Sequence, residues 1–346
     1  MSESLSLKKP GSSEAYGMTV RTEFIKFSYN QCIIRTGGIH DMASEKLRSI
    51  RRWLFLNARA LDVARWNYHF EDGSVKEILK ALAAYQNLDG GFAHGLEPDL
   101  RTSTSNPMST WTATRLLREA GLPQLAGHMI DKILDYLEGT LTEYEKWPAT
   151  TPAHEEGPHA PWFSYDPDDV YWGWNPTIEL AAFVLQTGSH HRELYETAER
   201  IIRQALLEIM DPEYLPAANE LSNITEATAI LITIRPDLLP EGLVPHVEGL
   251  IQRLVNDDRS AYETLEYILT PDFVLNSPES PWYPAIHETC DFYAHHLEAS
   301  VTEHGYWDLR WDWGDAELHP DSLRDWRGSL LVDHMLYLQN FKPEES

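Results

Sequence analysis

Residues 85–92 read Tyr-Gln-Asn-Leu-Asp-Gly-Gly-Phe and separate two segments with helical periodicity. Between residues 75 and 84, just before this stretch, apolar side chains recur at helical spacing and predict a helix. Gly90 and Gly91 end that helix, because glycine accepts the left-handed backbone common at helix ends. A polar loop follows, and apolar periodicity resumes from about Pro107. The stretch therefore marks the joint of a helix–loop–helix unit.

This unit resembles a known repeat. The order helix, Gln-x-x-Asp-Gly-Gly-Phe, loop, helix is similar to the repeats of squalene and terpene cyclases and of protein prenyltransferase β subunits. The resemblance implies an α/α toroid, in which helical hairpins form a ring around a central cavity. Gly-aromatic segments at residues 157–163 and 304–307 echo the first and favour one continuous ring. We predict an all-α fold, a single α/α-toroid domain over residues 42–346, with an irregular bundle or an α-solenoid as alternatives.

The composition limits both the domain count and the partners. With 346 residues, 42% of them hydrophobic, the chain can bury one large core or two modest ones. Residues 1–41 begin with a Ser-, Glu- and Lys-rich stretch without periodicity, which predicts a flexible or loosely attached leader. The net charge of −26 argues against nucleic acid and anionic membrane surfaces as partners.

The cysteine count and the apolar runs indicate the compartment. Cys32 and Cys290 are too few for a disulfide framework, which favours a reducing environment. No run of 18 apolar residues predicts a transmembrane segment, and the N-terminus lacks the apolar core of a signal peptide. We therefore expect a cytoplasmic protein whose partner is a small-molecule substrate, apolar or sugar-like. The oligomeric state stays open.

The loop after Phe92 carries two carboxylates and an imidazole, at His94, Glu97 and Asp99. Groups of these types, two or three residues apart, can form an acid/base pair or hold a cation. In the structural alternative, the two acids pair with Arg101 or cap the next helix. Glu97 and Asp99 are candidate catalytic residues, and His94 is a candidate substrate contact.

A second acidic cluster comprises Asp166, Asp168 and Asp169. It resembles the Asp-x-Asp-Asp motif of class II terpene cyclases, and the resemblance implies that Asp168, the middle acid, protonates an alkene or epoxide. Like charges raise one pKa, which keeps an acid protonated near neutral pH. The chain departs from that family because an aromatic segment separates the acids from the next helix. A solvent-exposed acidic turn is the alternative.

Aromatic residues near this cluster suggest the wall of a cavity. The chain has 12 tryptophans, and indole rings can stabilise a carbocation or stack on a sugar ring. The alternative for each of them is packing between helices. Alternating Trp and Asp at residues 307–313 resembles the Gln-and-Trp repeats of squalene cyclases, which in that family tie helices together. The candidate substrate-binding residues are His94, His159, Trp162, Trp172, Trp174, Trp311 and Asp312.

A predicted helix places His287, Cys290 and Asp291 at i, i+3 and i+4. Their residue types resemble the zinc ligands of protein prenyltransferases, an aspartate, a cysteine and a histidine. The order differs, because Cys290 directly precedes Asp291 where that family has Asp-x-Cys. We predict no resident cofactor and keep zinc or magnesium as the alternative.

The lead functional hypothesis follows from the resemblance. It is a terpenoid-cyclase-like or prenyltransferase-like enzyme that acts on an apolar isoprenoid in an aromatic-lined central cavity by acid-initiated chemistry. The first alternative is a carbohydrate-active enzyme that pairs Glu97 or Asp99 with Asp168 or Asp312 across the cavity. The second is a non-catalytic binding or scaffold protein, whose ring centre would be filled by side chains.

Overall fold

The computed structural model describes residues 44–264, 266–314 and 319–341. Within these ranges the chain forms eleven α-helices joined by loops and short 3-10 turns, and its only β pairings are isolated bridges. This confirms the predicted all-α fold class. The predicted leader, residues 1–41, lies outside the described residues. None of the described helices combines the length and the apolarity needed to cross a lipid bilayer.

The helices follow one another along the whole described chain. They are α1 (Ser44–Asn57), α2 (Ala60–Phe70), α3 (Val75–Leu82), α4 (Pro107–Glu119), α5 (Gly127–Thr140), α6 (Thr177–Thr187), α7 (Arg192–Ile209), α8 (Ala218–Ile234), α9 (Leu243–Leu254), α10 (Tyr283–Ser300) and α11 (Pro320–Phe341).

Local sequence explains where the helices around the predicted joint begin. Ser74 and Glu77 form a capping box at the start of α3, so each side chain satisfies a free backbone N–H. At the start of α4, the Asn106 side chain accepts a hydrogen bond from Ser109 N, and Pro107 occupies the first helical position. The second helix thus begins at the residue that the sequence indicates.

The helices pack in a path that leads from the start of the chain to its end. Helix α6 contacts α4, α7 and α8, and its residues 177–185 are all buried. An apolar helix of this kind lies inside a protein rather than at its surface. The last helix, α11, packs against α10 and also against α1 and α2. The end of the described chain therefore returns to its beginning.

The Gly-Gly joint is held by two backbone hydrogen bonds. Asn87 N donates to Gly91 O at 2.9 Å, and Gly90 N donates to Asn87 O at 3.1 Å. Gly90 has φ = +94°, and a Cβ there would strike the backbone of Lys132. Only glycine fits such a position without strain. The Phe92 ring that follows is fully buried.

The same joint occurs twice more along the chain. Residues 142–147 and 302–307 form the same pair of backbone hydrogen bonds. The residue with positive φ is Glu145 in the first, at +52°, and Gly305 in the second, at +87°. Both joints end on a tryptophan whose Nε1 donates, at 2.9 Å, to a carbonyl in the last turns of the preceding helix, Trp147 to Leu137 and Trp307 to Leu297.

One of the two predicted copies of the joint therefore lies elsewhere in the chain. The segment 304–307 belongs to a true copy of the joint, whereas 157–163 does not form this turn. Gly157 has an extended backbone with φ = −151°, and Pro161–Phe163 is a short 3-10 turn. The second copy lies at 142–147, where Glu145 occupies the positive-φ position that glycine holds in the other two joints.

Candidate functional site

A cavity of about 1450 Å³ lies among these helices. Part of its lining comes from a second hydrophobic cluster, separate from the main core. We call its large rings the aromatic cluster. Phe163 stacks on Trp172 with ring centroids 5.5 Å apart, and Trp311 meets Trp326 edge to face at 5.1 Å. The aromatic cluster consists of Trp111, Phe163, Trp172, Trp311, Trp313 and Trp326.

The loop at residues 93–101 carries the acids that lie among these rings. Arg59 Nη1 donates to two of its carbonyls, at 3.0 and 3.1 Å. Ser322 Oγ donates to a third at 2.7 Å, and Arg101 forms an ion pair with Asp325 at 2.8 Å. Helices α2 and α11 thus fix the loop from both sides. Arg101 pairs with Asp325 and not with the two loop acids. The structure therefore does not show the alternative in which Arg101 pairs with Glu97 and Asp99.

Glu97 and Asp99 form a buried acid pair in the cavity wall, with 6% and 3% of their surface exposed. Trp313 Nε1 donates to Asp99 Oδ1 at 2.8 Å, and Asp99 N lies 3.5 Å from Glu97 Oε1. Burial, together with the charge of Asp99, raises the pKa of Glu97 to about 8. Burial raises the pKa of Asp99 to about 6, and the hydrogen bond from Trp313 opposes that rise.

The two acids differ in pKa and therefore differ in role. Desolvation favours the neutral form of a carboxyl group, and a neighbouring negative charge adds to this effect. Near neutral pH, Glu97 is therefore protonated and can donate a proton, while Asp99 is charged and is held by an indole N–H. Two carboxyl groups with separated pKa values are typical of general acid–base sites.

The side chains of Trp111, Arg115 and Arg118 line another part of the cavity, and all three bond the carboxylate of Glu179. Glu179, fully buried on α6, accepts hydrogen bonds from Trp111 Nε1 at 2.7 Å and Arg115 Nη2 at 2.8 Å, and it also pairs with Arg118. Burial alone would raise its pKa, but the two guanidinium groups lower it. A charge this deep is tolerated only when it is fully paired. The network joins α4 to α6 beside the aromatic cluster.

A second set of ion pairs joins α2, α4 and α11. Arg65 Nη2 donates to Glu119 Oε2 at 2.7 Å and also bonds Asp333. His69 Nε2 lies 2.8 Å from Glu119 Oε1. Arg65, Glu119, Asp333 and His69 all line the cavity. The lining is therefore amphipathic, with flat aromatic faces and buried charged groups.

Several buried polar atoms on cavity-lining residues have no hydrogen-bond partner among the described residues. An unsatisfied buried donor or acceptor costs about 1–3 kcal/mol, so such atoms are usually paired in the working state of a protein. They include Arg118 Nη1, Gln186 Oε1, Trp311 Nε1 and His334 Nδ1.

The acidic cluster at Asp166, Asp168 and Asp169 lies outside this cavity. All three side chains are exposed. Asp168 N donates to Asp166 Oδ1 at 3.0 Å, and Asp169 N donates to Asp166 O at 3.1 Å, so the segment is a self-contained acidic turn. The role predicted for Asp168 requires a desolvated carboxyl group, and this exposed turn does not supply one.

The aromatic candidates divide between the cavity and the core. Trp162, Trp172 and Trp311 line the cavity, as a substrate wall requires. Trp174 does not: its ring is 1% exposed, its Nε1 donates to Glu208 Oε2 at 3.0 Å, and Lys146 Nζ lies 3.9 Å from its centroid. Trp174 is thus a helix-packing residue.

Three polar candidates point to local partners instead of the cavity. His94 is exposed, and its Nε2 lies 2.9 Å from Asn87 Oδ1. His159 Nδ1 lies 2.9 Å from Gly157 O. Asp312 is exposed and accepts a hydrogen bond from the Gly314 N–H at 2.7 Å. Each of them stabilises its own loop.

The predicted zinc candidates do not converge. Cys290 is buried, whereas His287 and Asp291 on the same helix are exposed, and α10 departs from helical geometry at Ile286. Burial raises the pKa of Cys290 to about 11, which disfavours the thiolate that zinc binds. Across the described ranges, no three His, Cys, Asp or Glu side chains come together as metal ligands.

Two residues that bond side chains of the cavity wall, Glu179 and Trp313, are not among the candidates from the sequence. Glu179 stands inside an otherwise apolar helix, and a lone carboxylate in such a run is a signal of a buried ion pair. Trp313 belongs to the Trp/Asp alternation, but nothing in its spacing indicates that its indole bonds Asp99.

Comparison of the chain with models of known protein families, with curated proteins and with solved structures finds no match, so its function must be inferred from the geometry of this cavity.

Proposed function

We propose that the chain is an α/α-toroid enzyme that performs general acid–base chemistry on a sugar-like ligand, with Glu97 as the proton donor. The closed ring is supported by the packing of α11 against α1 and α2 and by three copies of one interhelical joint. The central cavity and its acid pair are then the natural place for chemistry in such a ring.

The observation that carries the proposal is the Glu97–Asp99 pair. A carboxyl group that is 6% exposed, faces a large cavity and has its pKa raised to about 8 is costly to keep ionised. Proteins hold such groups mainly at functional sites. Structural ion pairing does not account for it, since Arg101 pairs with Asp325.

The lining favours a hydroxyl-bearing ligand over a hydrocarbon. Flat rings such as Trp172 and Trp311 stack on the apolar faces of sugar rings. Buried polar atoms such as Arg118 Nη1 and His334 Nδ1 need hydrogen-bond partners, and hydroxyl groups supply them. An isoprenoid would cover these atoms without pairing them, which costs free energy for each one.

Acid-initiated isoprenoid chemistry is the second candidate, and one observation favours it. A protonated Glu97 beside indole rings is the combination that donates a proton to an alkene and then stabilises the carbocation. This version moves the acid of the lead sequence hypothesis from Asp168 to Glu97. The isoprenoid would then have to lie against the aromatic cluster and away from the ion pairs.

The test compares two kinds of substrate, one whose leaving group needs a proton and one whose leaving group does not. The purified chain would be assayed against a panel of disaccharides and the corresponding 4-nitrophenyl glycosides, and against squalene with product analysis by mass spectrometry. For a disaccharide, loss of the general acid in Glu97→Gln should lower the rate by about 10²–10⁴-fold. For the 4-nitrophenyl glycoside, whose leaving group departs without a proton, the loss should be far smaller. Conversion of squalene without turnover of any saccharide would replace the lead with the second candidate.

A further inference from the structure

A histidine–aspartate contact lies in the same cavity, away from the acid pair in sequence. His334 on α11 and Asp272 in the 3-10 turn Pro271–Phe273 both line the cavity. His334 Nε2 lies 3.5 Å from Asp272 Oδ2. Asp272 also accepts hydrogen bonds from Tyr293 OH at 3.0 Å and from Thr270 Oγ1. Three bonding partners therefore fix the direction of its carboxylate.

The imidazole is fixed as well. The His334 ring meets Trp307 edge to face, with centroids 5.0 Å apart and planes at 85°. Trp307 is itself held by its hydrogen bond to Leu297 O at 2.9 Å. The residue is 8% exposed, so the ring has little freedom to turn.

The two ring nitrogens of His334 differ. A carboxylate at one nitrogen of a neutral imidazole favours the proton there, which leaves the lone pair on the other. Asp272 faces Nε2, so the lone pair belongs to Nδ1. That atom has no hydrogen-bond partner in residues 44–264, 266–314 and 319–341. A buried acceptor on a cavity wall, with its ring oriented by a carboxylate, has the arrangement of a general base.

We propose that His334 and Asp272 form a general-base dyad, in which His334 Nδ1 takes a proton from a hydroxyl group or a water molecule bound in the cavity. Asp272 is the positioning residue, since it orients the ring and stabilises the imidazolium. The proposal deepens the proposed function, because it supplies a base to the cavity that already holds the acid Glu97.

A hydrolysis in this cavity moves one proton to His334 and one from Glu97. The O–H bond of water breaks, its proton passes to Nδ1, and the oxygen electron pair forms the new bond to the sugar carbon. The glycosidic C–O bond breaks, its electron pair stays on the leaving oxygen, and that oxygen takes the proton of Glu97. The imidazolium then returns its proton to the Glu97 carboxylate through solvent.

The first measurement is the tautomer of His334 in the full chain with ¹⁵N-labelled histidine side chains, at a pH well above the ordinary histidine pKa of about 6.5. The resonance is assigned by its loss in His334→Gln or, should that variant not fold, in His334→Asn. We expect protonation at Nε2 in the wild type and a mixture of tautomers in Asp272→Asn. A wild-type ring protonated at Nδ1, or an unchanged ratio in Asp272→Asn, would overturn the dyad.

The second measurement is the hydrolysis of 4-nitrophenyl acetate, which needs no acid because 4-nitrophenolate leaves unprotonated. We expect His334→Gln to lower the enzyme-dependent rate at least tenfold. The matched control is His295→Gln, which removes an exposed histidine of α10 and should leave the rate unchanged. Equal rates in the two variants would refute the base role. Neither measurement involves a glycoside, so failure here is separate from failure of the disaccharide assay.

Discussion

Two acidic clusters of similar sequence have opposite environments in this protein. Glu97 and Asp99 are buried in the wall of the cavity, while Asp166, Asp168 and Asp169 form an exposed turn. Burial raises the pKa of both carboxyl groups of the first pair. Clustering of acids therefore does not by itself make a proton donor. Removal of water does, and the surrounding chain decides where water is removed.

The difference has a structural cause. The loop at residues 93–101 is held by Arg59, by Ser322 and by the Arg101–Asp325 pair, and Trp313 covers Asp99. These partners come from distant parts of the sequence. The acidic turn at residues 166–169 satisfies its backbone from its own Asp166, and its side chains extend into solvent.

The largest expected effect contrasts the two clusters in catalysis. Glu97→Gln should lower disaccharide turnover by about 10²–10⁴-fold, because the proton donor is lost. The triple variant Asp166→Asn, Asp168→Asn, Asp169→Asn should keep wild-type turnover, because an exposed turn outside the cavity holds no reacting atom. The measurement is the steady-state rate of each variant at one pH. Loss of turnover in the triple variant with activity retained in Glu97→Gln would reverse our assignment.

The next effect contrasts the two clusters in stability. Asp325→Ala breaks the ion pair that anchors the acid loop and should cost about 3 kcal/mol of unfolding free energy, since Asp325 is buried. Asp168→Ala should change it by less than about 0.5 kcal/mol. Urea unfolding followed by tryptophan fluorescence measures both. Equal midpoints would mean that the anchor contributes nothing to the fold.

The pH dependence of stability separates the clusters in another way. The folded pKa of Glu97, about 8, lies above its unfolded value, so the native state holds a proton that the unfolded state has released. Between about pH 6, the folded pKa of Asp99, and pH 8, the Glu97 carboxyl group should therefore make stability fall as pH rises, by at most about 1.4 kcal/mol per pH unit. Glu97→Gln should remove this slope, and Asp168→Asn should keep it. Unfolding free energies at several pH values across that window provide the measurement.

The sequence predicts the elements of the fold better than it predicts the site. The Gly-Gly joint and the start of α4 at Pro107 follow from local chemistry, namely positive φ and N-capping, so the residues themselves carry the information. The copy of the joint at 142–147 is hidden because Glu145 adopts the positive φ that glycine normally marks. Local rules can be satisfied by an uncommon residue when the surrounding structure requires it.

The site is harder because its properties come from distant contacts. Glu97 and Asp99 are recognisable as candidates from their spacing, yet the hydrogen bond to Asp99 comes from Trp313, more than two hundred positions later in the chain. Asp168 belongs to the more specific motif, yet its side chain is exposed. Burial is set by packing between segments, and a motif within one loop does not contain that information.

The smallest expected effect concerns the hydrogen bond from Trp313 Nε1 to Asp99 Oδ1, at 2.8 Å. This bond favours the charged carboxylate, so Trp313→Phe should raise the pKa of Asp99 further above its ordinary value. A bond to a charged group contributes about 1.5 kcal/mol or more, which corresponds to about one pH unit. The titration of the Asp99 carboxyl group, followed by NMR with ¹³C-labelled aspartate, should therefore move to higher pH by about that amount. Trp174→Phe is the matched control, because it removes the indole bond of a buried tryptophan to Glu208 and leaves the acid pair intact. A titration that moves equally in both variants would mean that indole loss acts through general destabilisation and not through the lost hydrogen bond to Asp99.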